Sequence, residues 1–503
     1  MTPRVSCQVL VVGLGPVGAT LAGLLADAGI RVLAIDKSND VYPLPRAGHF
    51  DHEIMRVFQQ LGLADTVLAH TRVAIGYEFR NAKGEVLWGL SSDEDQLAAT
   101  GWATSYMFNQ PPVDRALRDK VLAAPSVDVR LGTEFRSLRA TAAGVEVTAA
   151  SPTGELLIDA DYVVGCDGAW SPVREAVGIK LADLKFDEPW LVIDALTKPG
   201  STLPRINLQI CDPVRPTSCL PLGPGRHRWE FMMRPGETAE QVLEDDFIHA
   251  LLTPWDADVE IDRKAVYRFH GLVADRWREG RVLIAGDAAH QTPPFAGQGM
   301  CAGIRDAANL SWKLADVLNG QASPDLLDTY QIEREPHVRT FIDLSIAMGR
   351  IVCTLDPEEA RARDEQMLAA RAAGMQAMPP GDPPPFSGPG VLTGSAGAGE
   401  MFPQPVHREG GRTVRLDDVL GSGPWLVSRS AEPAPPSSRI KAVRTDDPIL
   451  APFRESLNAW LTARDADAAL VRPDRYVFGT GRPAVLLDEW RRALGKAIAD
   501  ALP

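Results

Sequence analysis

The first forty residues alternate between continuous apolar runs and one amphipathic stretch. Residues 8–12 form the apolar run QVLVV, and a second run, RVLAI, occupies residues 31–35. Uninterrupted runs of this kind are typical of parallel strands that are buried on both faces. Between them, apolar residues recur at helical spacing to about residue 28, just before Gly29, a residue type favoured immediately after a helix. The pattern predicts a strand, a helix and a second strand.

The rest of the chain divides by the same criteria. Helical spacing predicts helices at about 51–61 and 113–123, and alternation predicts a strand pair ending near Ala150. From about Glu188 to Phe269, short alternating segments rich in β-branched and aromatic residues predict an inserted antiparallel sheet. The predicted segments are 1–187 and 271–375 for an α/β domain in two parts that ends in a long helix, 188–270 for the inserted sheet, 376–400 for a Pro- and Gly-rich linker, and 401–503 for a small terminal α/β domain.

A glycine-rich turn connects the first predicted strand to the first helix. Gly13 suits the turn, Gly15 leaves room for a pyrophosphate, and Gly18 allows the helix to approach the strand. Asp36, at the end of the second strand, stands where a carboxylate accepts from a ribose 2′-hydroxyl. The unit predicts a dinucleotide site for NAD or FAD, although glycine turns also occur for packing reasons alone.

A second candidate site lies between Gly280 and Val317. A strand at 282–285 leads to Asp287, and Gly297 and Gly299 open a helix whose first amides can face an anion. This second glycine pair lacks the third glycine of a complete dinucleotide motif. A second dinucleotide, such as a reducing cofactor, would therefore bind without a dinucleotide-binding domain of its own.

Composition and charge narrow the class. With 503 residues, 45% of them hydrophobic and 23% charged, the chain has the balance of a globular protein with two or three domains. The net charge of -14 argues against a nucleic-acid partner. No apolar segment has the length of a membrane span and no signal peptide is recognised, so a cytoplasmic location is expected. The six cysteines form no CxxC pair, which predicts neither disulfides nor a metal site, and residues 401–503 contain none.

Three motifs together resemble the single-component (class A) flavoprotein aromatic hydroxylases over about the first 350 residues. They are GLGPVG at 13–18, CDGAWSPVR at 166–174 and GRVLIAGDAAH at 280–290. Within that class the chain is most similar to the hydroxylases of 3-(3-hydroxyphenyl)propionate, in PRAGHFDHE at 45–53, CDPVRP at 211–216, RWEFMMRPGET at 228–238 and LVRPDRYV at 470–477. Enzymes acting on resorcinols, chlorophenols or polyketide phenols share many of these features.

The resemblance implies a fold and a set of cofactor contacts. The fold is a Rossmann-like FAD-binding domain of the para-hydroxybenzoate hydroxylase type, with an inserted antiparallel substrate sheet and a C-terminal thioredoxin-like domain without redox cysteines. The implied FAD contacts are Gly13, Gly15, Pro16, Val17, Gly18, Asp36, Lys37, Arg46, Gln110, Asp167, Asp287, Pro294, Gly297, Gly299, Met300 and Cys301. Three of these have ordinary alternatives: a surface arginine for Arg46, a helix cap for Gln110, and a cap of the turn before Ser171 for Asp167.

The resemblance also implies a reaction. NADPH or NADH reduces FAD, and the reduced flavin and O2 form a C4a-hydroperoxide that hydroxylates a phenol, here a 3-(3-hydroxyphenyl)propionate-like acid. Candidates for assisting this chemistry are His49, Asp51 and His52, which could take the phenol proton, and Pro293 beside the flavin. Asp51 could equally cap the following helix. Candidate cations for a substrate carboxylate are Arg215, Arg226, His227, Arg228 and Arg234, all of which could instead be solvated.

Other functions have weaker support in the sequence. A hydroxylase of another phenol class is the first alternative, and a flavin-dependent halogenase or reductase on the same scaffold is the second. The Trp-x-Trp signature expected of a halogenase is absent. A non-enzymatic role for bound FAD has no feature in its favour. The partner we expect is a small phenolic molecule, with neither nucleic acid nor membrane, and a second copy of the chain is a candidate partner in a homodimer.

Overall fold

The computed structural model describes residues 2–375, 383–429 and 439–495. The predicted first strand, helix and second strand are present as Arg4–Val12, Pro16–Asp27 and Val32–Asp36. The two strands pair in parallel, with Val9 opposite Val32. The dinucleotide-type βαβ unit expected from the apolar pattern is therefore confirmed.

This unit belongs to an eight-stranded sheet, which we call the parallel sheet. Its main path runs, in spatial order, through Arg278–Glu279, Val282–Ile284, Gly154–Gly165, Arg4–Val12, Val32–Asp36 and Val127–Leu131, and an antiparallel pair, Val145–Ser151 and Glu134–Ala140, adds onto Gly154–Gly165. The strands Arg4–Val12 and Val282–Ile284, from the two ends of the segment 1–284, thus flank Gly154–Gly165 on either side. The carboxyl ends of Arg4–Val12 and Val282–Ile284 lie on the same edge, because all strands from Val282–Ile284 to Val127–Leu131 are parallel. That edge is where ligands bind in open α/β sheets.

A second eight-stranded sheet, which we call the substrate sheet, is larger than the sequence predicts. Its spatial order is His290–Gln291, Val259–Ala274, Leu181–Thr197, Arg226–Met232, Thr217–Pro221, Asn207–Cys211, Gly76–Asn81 and Val86–Ser91. The predicted limits of 188–270 are too narrow, because two long strands extend beyond them and a hairpin from residues 76–91 joins the far edge. That hairpin pairs in parallel with Asn207–Cys211, so the sheet is not purely antiparallel.

The two faces of the substrate sheet have different partners. Trp229 and Phe231 point to one face, in a core that includes Ile248 from the helix Asp245–Leu252. Because side chains alternate along a strand, Arg228 and Glu230 point to the opposite face, which we call the inner face. The inner face looks toward the parallel sheet, since Arg228 reaches the backbone of Pro45. This orientation makes it the wall of the candidate site.

The helices follow the predicted periodicity. The α-helices of the described residues are Pro16–Asp27, His52–Gln60, Ala64–Leu68, Gln110–Leu122, Pro172–Ala176, Ala239–Val242, Asp245–Leu252, Gly299–Leu318, Thr329–Val352, Pro357–Ala372, Leu416–Leu420, Arg454–Thr462 and Pro483–Ala493. Within these ranges, no helix combines the length and apolar character needed to cross a membrane. A three-stranded sheet of His49–Asp51, Ser105–Phe108 and Thr71–Val73 lies beside Gln110–Leu122.

The terminal part has its own sheets. A four-stranded sheet runs in the order Lys441–Arg444, Trp425–Ser428, Ala468–Val471 and Val477–Gly481, and a hairpin pairs Val406–Glu409 with Arg412–Arg415. The predicted strands at 425–428 and 468–471 are confirmed to the residue.

The predicted linker of 376–400 is only partly described. Residues 376–382 lie outside the described residues, and the remainder packs closely. Phe386 stacks on Tyr476 with ring centroids 4.0 Å apart and lies 4.4 Å from the ring of His337. The described part of this segment therefore contacts both the long helix Thr329–Val352 and the terminal sheet.

A buried ion network joins the terminal part to the long helices. Glu333 accepts hydrogen bonds from Lys313 at 2.9 Å and from Arg472 at 2.8 Å, and Arg472 also pairs with Asp474 at 2.6 Å. None of the four side chains is more than 1% exposed. Two positive and two negative charges thus balance within the interface.

Candidate active site

The turn after the first strand is closed toward the protein and open toward solvent. Gly13 has φ +94°, and a Cβ there would lie 2.5 Å from the carbonyl oxygen of Cys166. A Cβ at Gly18 would overlap the carbonyl of Gly13, whereas a Cβ at Gly15 would meet no atom within 4 Å. Each glycine thus has the geometry expected of a dinucleotide turn, and the free space lies at Gly15, where a pyrophosphate is expected.

Asp36 supports this turn through its carboxylate. Its carboxylate accepts from the backbone N–H groups of Leu14 and Ser38, each at 2.8 Å, and Arg118 lies 3.5 Å away. A carboxylate has about four acceptor positions, so room for a ribose hydroxyl remains. Lys37, the next residue, is exposed.

Asp287 lies on the one-turn 3₁₀ helix Gly286–Ala288, at the same edge of the parallel sheet. Its side chain is solvent-accessible, yet the surrounding protein desolvates the carboxylate and raises its pKa, an effect opposed by the positive charges of His290 and Arg46. An accessible acid enclosed in this way faces a cleft. Asp287 is therefore an accessible acceptor at the edge of the parallel sheet where ligands bind.

A buried triad fixes the turn that carries Asp287. Asp306, which is fully buried, accepts from the Gly286 N–H at 3.1 Å, contacts His290 Nε2 at 2.6 Å and pairs with Arg334 at 2.9 Å. His290 is 1% exposed, so its role in this triad is structural. The sequence analysis identified neither Asp306 nor Arg334, because both lie inside helices without a recognisable motif.

Asp167 and Arg174 make mainly local contacts. Asp167 accepts from the Ser171 hydroxyl and from the Val173 N–H, at 2.5 and 3.0 Å. These bonds favour the capping alternative, and burial raises the pKa of this carboxyl. Arg174 donates to the carbonyl of Ala288 at 3.0 Å and thereby connects the two motifs.

Gln110 positions the loop that carries Arg46. Its side-chain carbonyl accepts from the N–H groups of Arg46 and Ala47 at 2.8 and 2.7 Å, and its amide donates to Asp114 at 3.1 Å. The Arg46 side chain is exposed and lies 4.7 Å from the centre of the Tyr42 ring. In this structure Gln110 therefore acts on a cofactor-side loop, which differs from the simple helix cap considered as its alternative.

Asp114 gives a pH-dependent prediction. Burial raises the pKa of its carboxyl to about 7, so between about pH 4 and pH 7 the folded protein retains a proton that the unfolded chain has released. The resulting stabilisation is complete below that window and is lost as the pH rises through 7. We expect Asp114→Asn to raise the free energy of unfolding by about 1 kcal/mol at pH 5 and by about 3–4 kcal/mol at pH 8, because each pH unit above 4 removes about 1.4 kcal/mol from the wild-type protein until the pH passes 7.

Denaturant unfolding at the two pH values measures this difference. Asp119→Asn, at an exposed position of the same helix, is the control and should change stability little at either pH. Equal shifts for Asp114→Asn at pH 5 and pH 8 would contradict the protonated state of this carboxyl.

His49 connects the small sheet to the loop before helix Gly299–Leu318. Its Nδ1 lies 3.1 Å from the carbonyl of Gly297 and its Nε2 lies 2.5 Å from the hydroxyl of Ser105. A carbonyl can only accept, so Nδ1 carries the proton and Nε2 accepts from Ser105. Burial lowers the pKa of His49, which keeps the ring neutral.

Asp51 is an N-cap and an ion-pair partner. Its carboxylate accepts from the N–H groups of Glu53 and Ile54, and Arg305 donates to it at 2.5 Å. Arg305 holds the pKa of Asp51 well below its usual range, so this carboxylate is a weak base. The contacts favour the capping role over proton transfer.

The helix Gly299–Leu318 begins next to this pair. Gln298 donates to Asp51 at 3.1 Å and accepts from Arg305 at 3.0 Å, but it does not cap the first amides of the helix. The amides of Gly299, Met300 and Cys301 therefore have no side-chain partner at Gln298. Their position after the Gly297 turn, which has φ +64°, agrees with the expected flavin-facing role.

The Pro293–Pro294 turn is anchored to the substrate sheet. Tyr77 donates from its hydroxyl to the carbonyl of Phe295 at 2.7 Å, and the Phe295 ring lies against Trp190 with centroids 5.6 Å apart. The hairpin of residues 76–91, which the sequence analysis left unassigned, thus contacts the Pro293–Pro294 turn.

His52, the third candidate base, is half-buried, and its Nδ1 has no hydrogen-bond partner among the described residues.

The arginines proposed for a substrate carboxylate are engaged elsewhere. Arg215 forms two bonds to Glu237, Arg226 pairs with Asp262 at 2.5 Å, and Arg234 is exposed. Burial lowers the pKa of His227 to about 4, so that ring is neutral.

Arg228 is the buried arginine of that set, and it belongs to a charge-balanced cluster on the inner face. It pairs with Asp194 at 2.6 Å, Arg263 lies 3.2 Å from the same carboxylate, and Glu230 lies 3.7 Å from Arg228. The remaining donors of Arg228 reach the carbonyls of Pro45 and Arg46. Two arginines and two acids leave no net positive charge for an incoming anion.

The chain matches the family described as FAD binding domain over residues 6–345. It is 38% identical to a protein of Rhodococcus jostii (strain RHA1) named "Probable NADH-specific resorcinol 4-hydroxylase", over 99% of this chain and 96% of that protein. It is 34% identical to a 3-(3-hydroxy-phenyl)propionate/3-hydroxycinnamic acid hydroxylase of Mycolicibacterium gilvum (strain PYR-GCK), over 95% of this chain and 89% of that protein.

Solved structures share the whole architecture. An aklavinone-11 hydroxylase in complex with FAD and aklavinone has a TM-score of 0.79 and 25% identity, over 97% of this chain and 99% of that one. The flavin-dependent monooxygenase PieE, in complex with FAD and substrate, has a TM-score of 0.80 and 22% identity, over 98% of this chain and 100% of that one. The second likeness concerns the fold alone.

Proposed function

The chain belongs to the FAD-dependent aromatic hydroxylases, and from this premise we propose that its substrate is an uncharged phenol of the resorcinol type. It is an NAD(P)H-dependent aromatic monooxygenase that uses O2. The phenolic acid favoured by the sequence analysis becomes the second candidate. The observation that carries the proposal is the charge-balanced cluster on the inner face.

The residues around the sheet edge fit FAD. Gly15 leaves open the space that a pyrophosphate needs, and Asp287 faces a cleft beside Arg46. The amides that start helix Gly299–Leu318 can stabilise negative charge at the flavin. When bound, FAD supplies the electron transfer and the activation of oxygen.

The protein's own residues position the substrate and enclose the site. Asp306 holds the turn at Gly286, and Tyr77 holds the turn after Pro293. The two turns are therefore each fixed by a separate part of the chain. The neutral His49 uses both ring nitrogens to contact Ser105 and Gly297, and its lowered pKa makes it a weak base, so its contacts support a role in positioning the Gly297 turn. Held positions of this kind reduce the loss of entropy on reaching the reactive arrangement.

Charge discriminates between the two substrate candidates. A carboxylate placed beside Glu230 and Asp194 would be a third negative charge against two arginines. Each nitrogen of Arg228 is engaged, whereas Nε and Nη2 of Arg263 have no hydrogen-bond partner among the described residues. An unpaired buried charge is strongly unfavourable, whereas a hydroxyl needs only a hydrogen-bond partner. The relative at 38% identity is named for resorcinol, which is uncharged.

We expect resorcinol to accelerate NADH oxidation with a kcat/KM at least about 10-fold above that for 3-(3-hydroxyphenyl)propionate, because 1.4 kcal/mol of charge penalty corresponds to that ratio. Mass spectrometry of the product should show one added oxygen atom. Hydrogen peroxide release without a heavier product would contradict hydroxylation of that compound, and a preference for the acid would contradict the uncharged substrate.

We also propose that the terminal unit is thioredoxin-like. Its support is the pairing of the four-stranded sheet, in which Trp425–Ser428 is parallel to Lys441–Arg444 and antiparallel to Ala468–Val471. The unit contains no cysteine, so a thiol-disulfide function is excluded. Its extensive ion pairs with the long helices support a structural role.

A further inference from the structure

Three residues form a polar row across the inner face of the substrate sheet. Gln209 is paired with Ser218, and Ser218 is paired with Glu230, on adjacent strands. The Ser218 hydroxyl donates to the Gln209 carbonyl at 2.6 Å, so these two side chains satisfy each other. Glu230, at the end of the row, is only 7% exposed.

Glu230 lacks the donors that a buried carboxylate normally has. No side chain or backbone group of the described residues forms a hydrogen bond with it, and the nearest cation, Arg228, is 3.7 Å away. The Arg228 guanidinium already donates to Asp194, Pro45 and Arg46. A buried carboxylate without donors is unfavourable by itself, so this part of the inner face is incomplete until something donates to Glu230.

The surroundings of Glu230 shift the pKa of its carboxyl in opposing directions. Burial raises the pKa of its carboxyl and the nearby negative charge of Asp194 adds to this rise, while the positive charges of Arg228 and Arg263 oppose it. A carboxylate of raised basicity is a stronger acceptor for a weakly acidic hydroxyl.

The row lies beside the expected reaction centre. Burial raises the pKa of the Tyr77 hydroxyl, and the nearby charge of Glu230 adds to this rise. The same hydroxyl donates to the carbonyl of Phe295, next to Pro293 and Pro294. The Tyr77 side chain thus extends from the polar row to the turn of Pro293 and Pro294. A planar ring next to this turn would lie on the same face of the substrate sheet as Glu230.

We propose that Glu230 accepts a hydrogen bond from a phenolic hydroxyl of the substrate and thereby selects hydroxyl-bearing rings over carboxylates. The inference rests on the proposed function and deepens it, because it assigns the recognition of the substrate to one residue that no motif identifies. The same carboxylate repels an anionic side chain of a phenolic acid.

The test is calorimetric titration of the FAD-loaded protein, without reductant, with resorcinol and with 1,3-dimethoxybenzene, which has the same ring but no donor. We expect Glu230→Gln to weaken resorcinol binding about 10-fold or more, because an amide accepts less strongly than a carboxylate. Binding of the dimethoxy compound should change less than about 2-fold, and binding of 3-(3-hydroxyphenyl)propionate should become tighter because one negative charge is removed. Glu260→Gln, at an exposed position on a strand of the same sheet, is the matched control and should change none of these affinities.

Flavin content and the thermal midpoint of both variants establish that they are folded. An equal loss for resorcinol and the dimethoxy compound, or no loss for resorcinol, would overturn the role of Glu230. If the wild-type protein hydroxylates resorcinol but Glu230→Gln binds it normally, this inference alone fails. If no phenol is hydroxylated by the wild-type protein, the proposed function fails independently.

Discussion

Replacing Glu333 by alanine is expected to lower the free energy of unfolding by about 3–5 kcal/mol, the usual effect of removing one partner from a buried ion pair. Without this acid, Lys313 and Arg472 would face Asp474 alone, and one positive charge would remain buried without a partner. Asn309 would also lose the nearer of its two acceptors, 2.7 Å away, and keep only Asp474 at 3.3 Å. Thermal and urea unfolding of the variant would measure the loss.

Glu335→Ala is the control for Glu333→Ala. Glu335 lies on the same helix but is half-buried and pairs with Arg339 one turn away, at 2.7 Å. A pair of this kind contributes less than about 1 kcal/mol. Similar losses for the two variants would indicate that the buried network does not hold the terminal unit.

Replacing Gly15 by valine is expected to weaken FAD binding by at least about 100-fold while leaving the apoprotein folded. The backbone at Gly15, with φ -73° and ψ -173°, suits any residue, and no protein atom lies within 4 Å of its Cβ position. The added side chain would fill only the space expected for the pyrophosphate. Two lost bonds from amides to a charged phosphate, at about 1.5–3 kcal/mol each, account for the expected factor.

Flavin absorbance of the purified variant and titration of the apoprotein with FAD measure this effect. Gly23→Ala, within the same helix, would bring a Cβ against only the movable end of Leu61, so it should keep normal FAD affinity. Gly18→Ala should instead destabilise the fold, because its Cβ overlaps the backbone of Gly13. Normal FAD affinity in Gly15→Val would contradict a pyrophosphate at this turn.

The cofactor half of the site could be predicted because its signals are local. Gly13, Gly15 and Gly18 act through their own backbone conformation or the lack of a Cβ, and such requirements are visible in a short motif. The strands on either side are continuous apolar runs, so their burial followed from composition alone. The fold of this half therefore required no knowledge of distant contacts.

The substrate half depends on contacts between distant segments. Glu230 is unremarkable in the sequence, and its isolation on the inner face follows from the register of three strands. The hairpin of residues 76–91 pairs with residues more than a hundred positions later, which no local pattern indicates. Asp51 illustrates the same limit, because the arginine that neutralises it lies 254 residues away.

The ion network around Glu333 has a further consequence for how the chain can be divided. The family match ends at residue 345, after Lys313 and Glu333 but before Arg472 and Asp474, which complete the network. A fragment cut at the family boundary would expose to water the faces of both long helices that the terminal unit now covers. The smallest part of this chain able to fold independently is thus larger than the part that family membership defines, and gene fragments intended for expression should extend through Val477–Gly481.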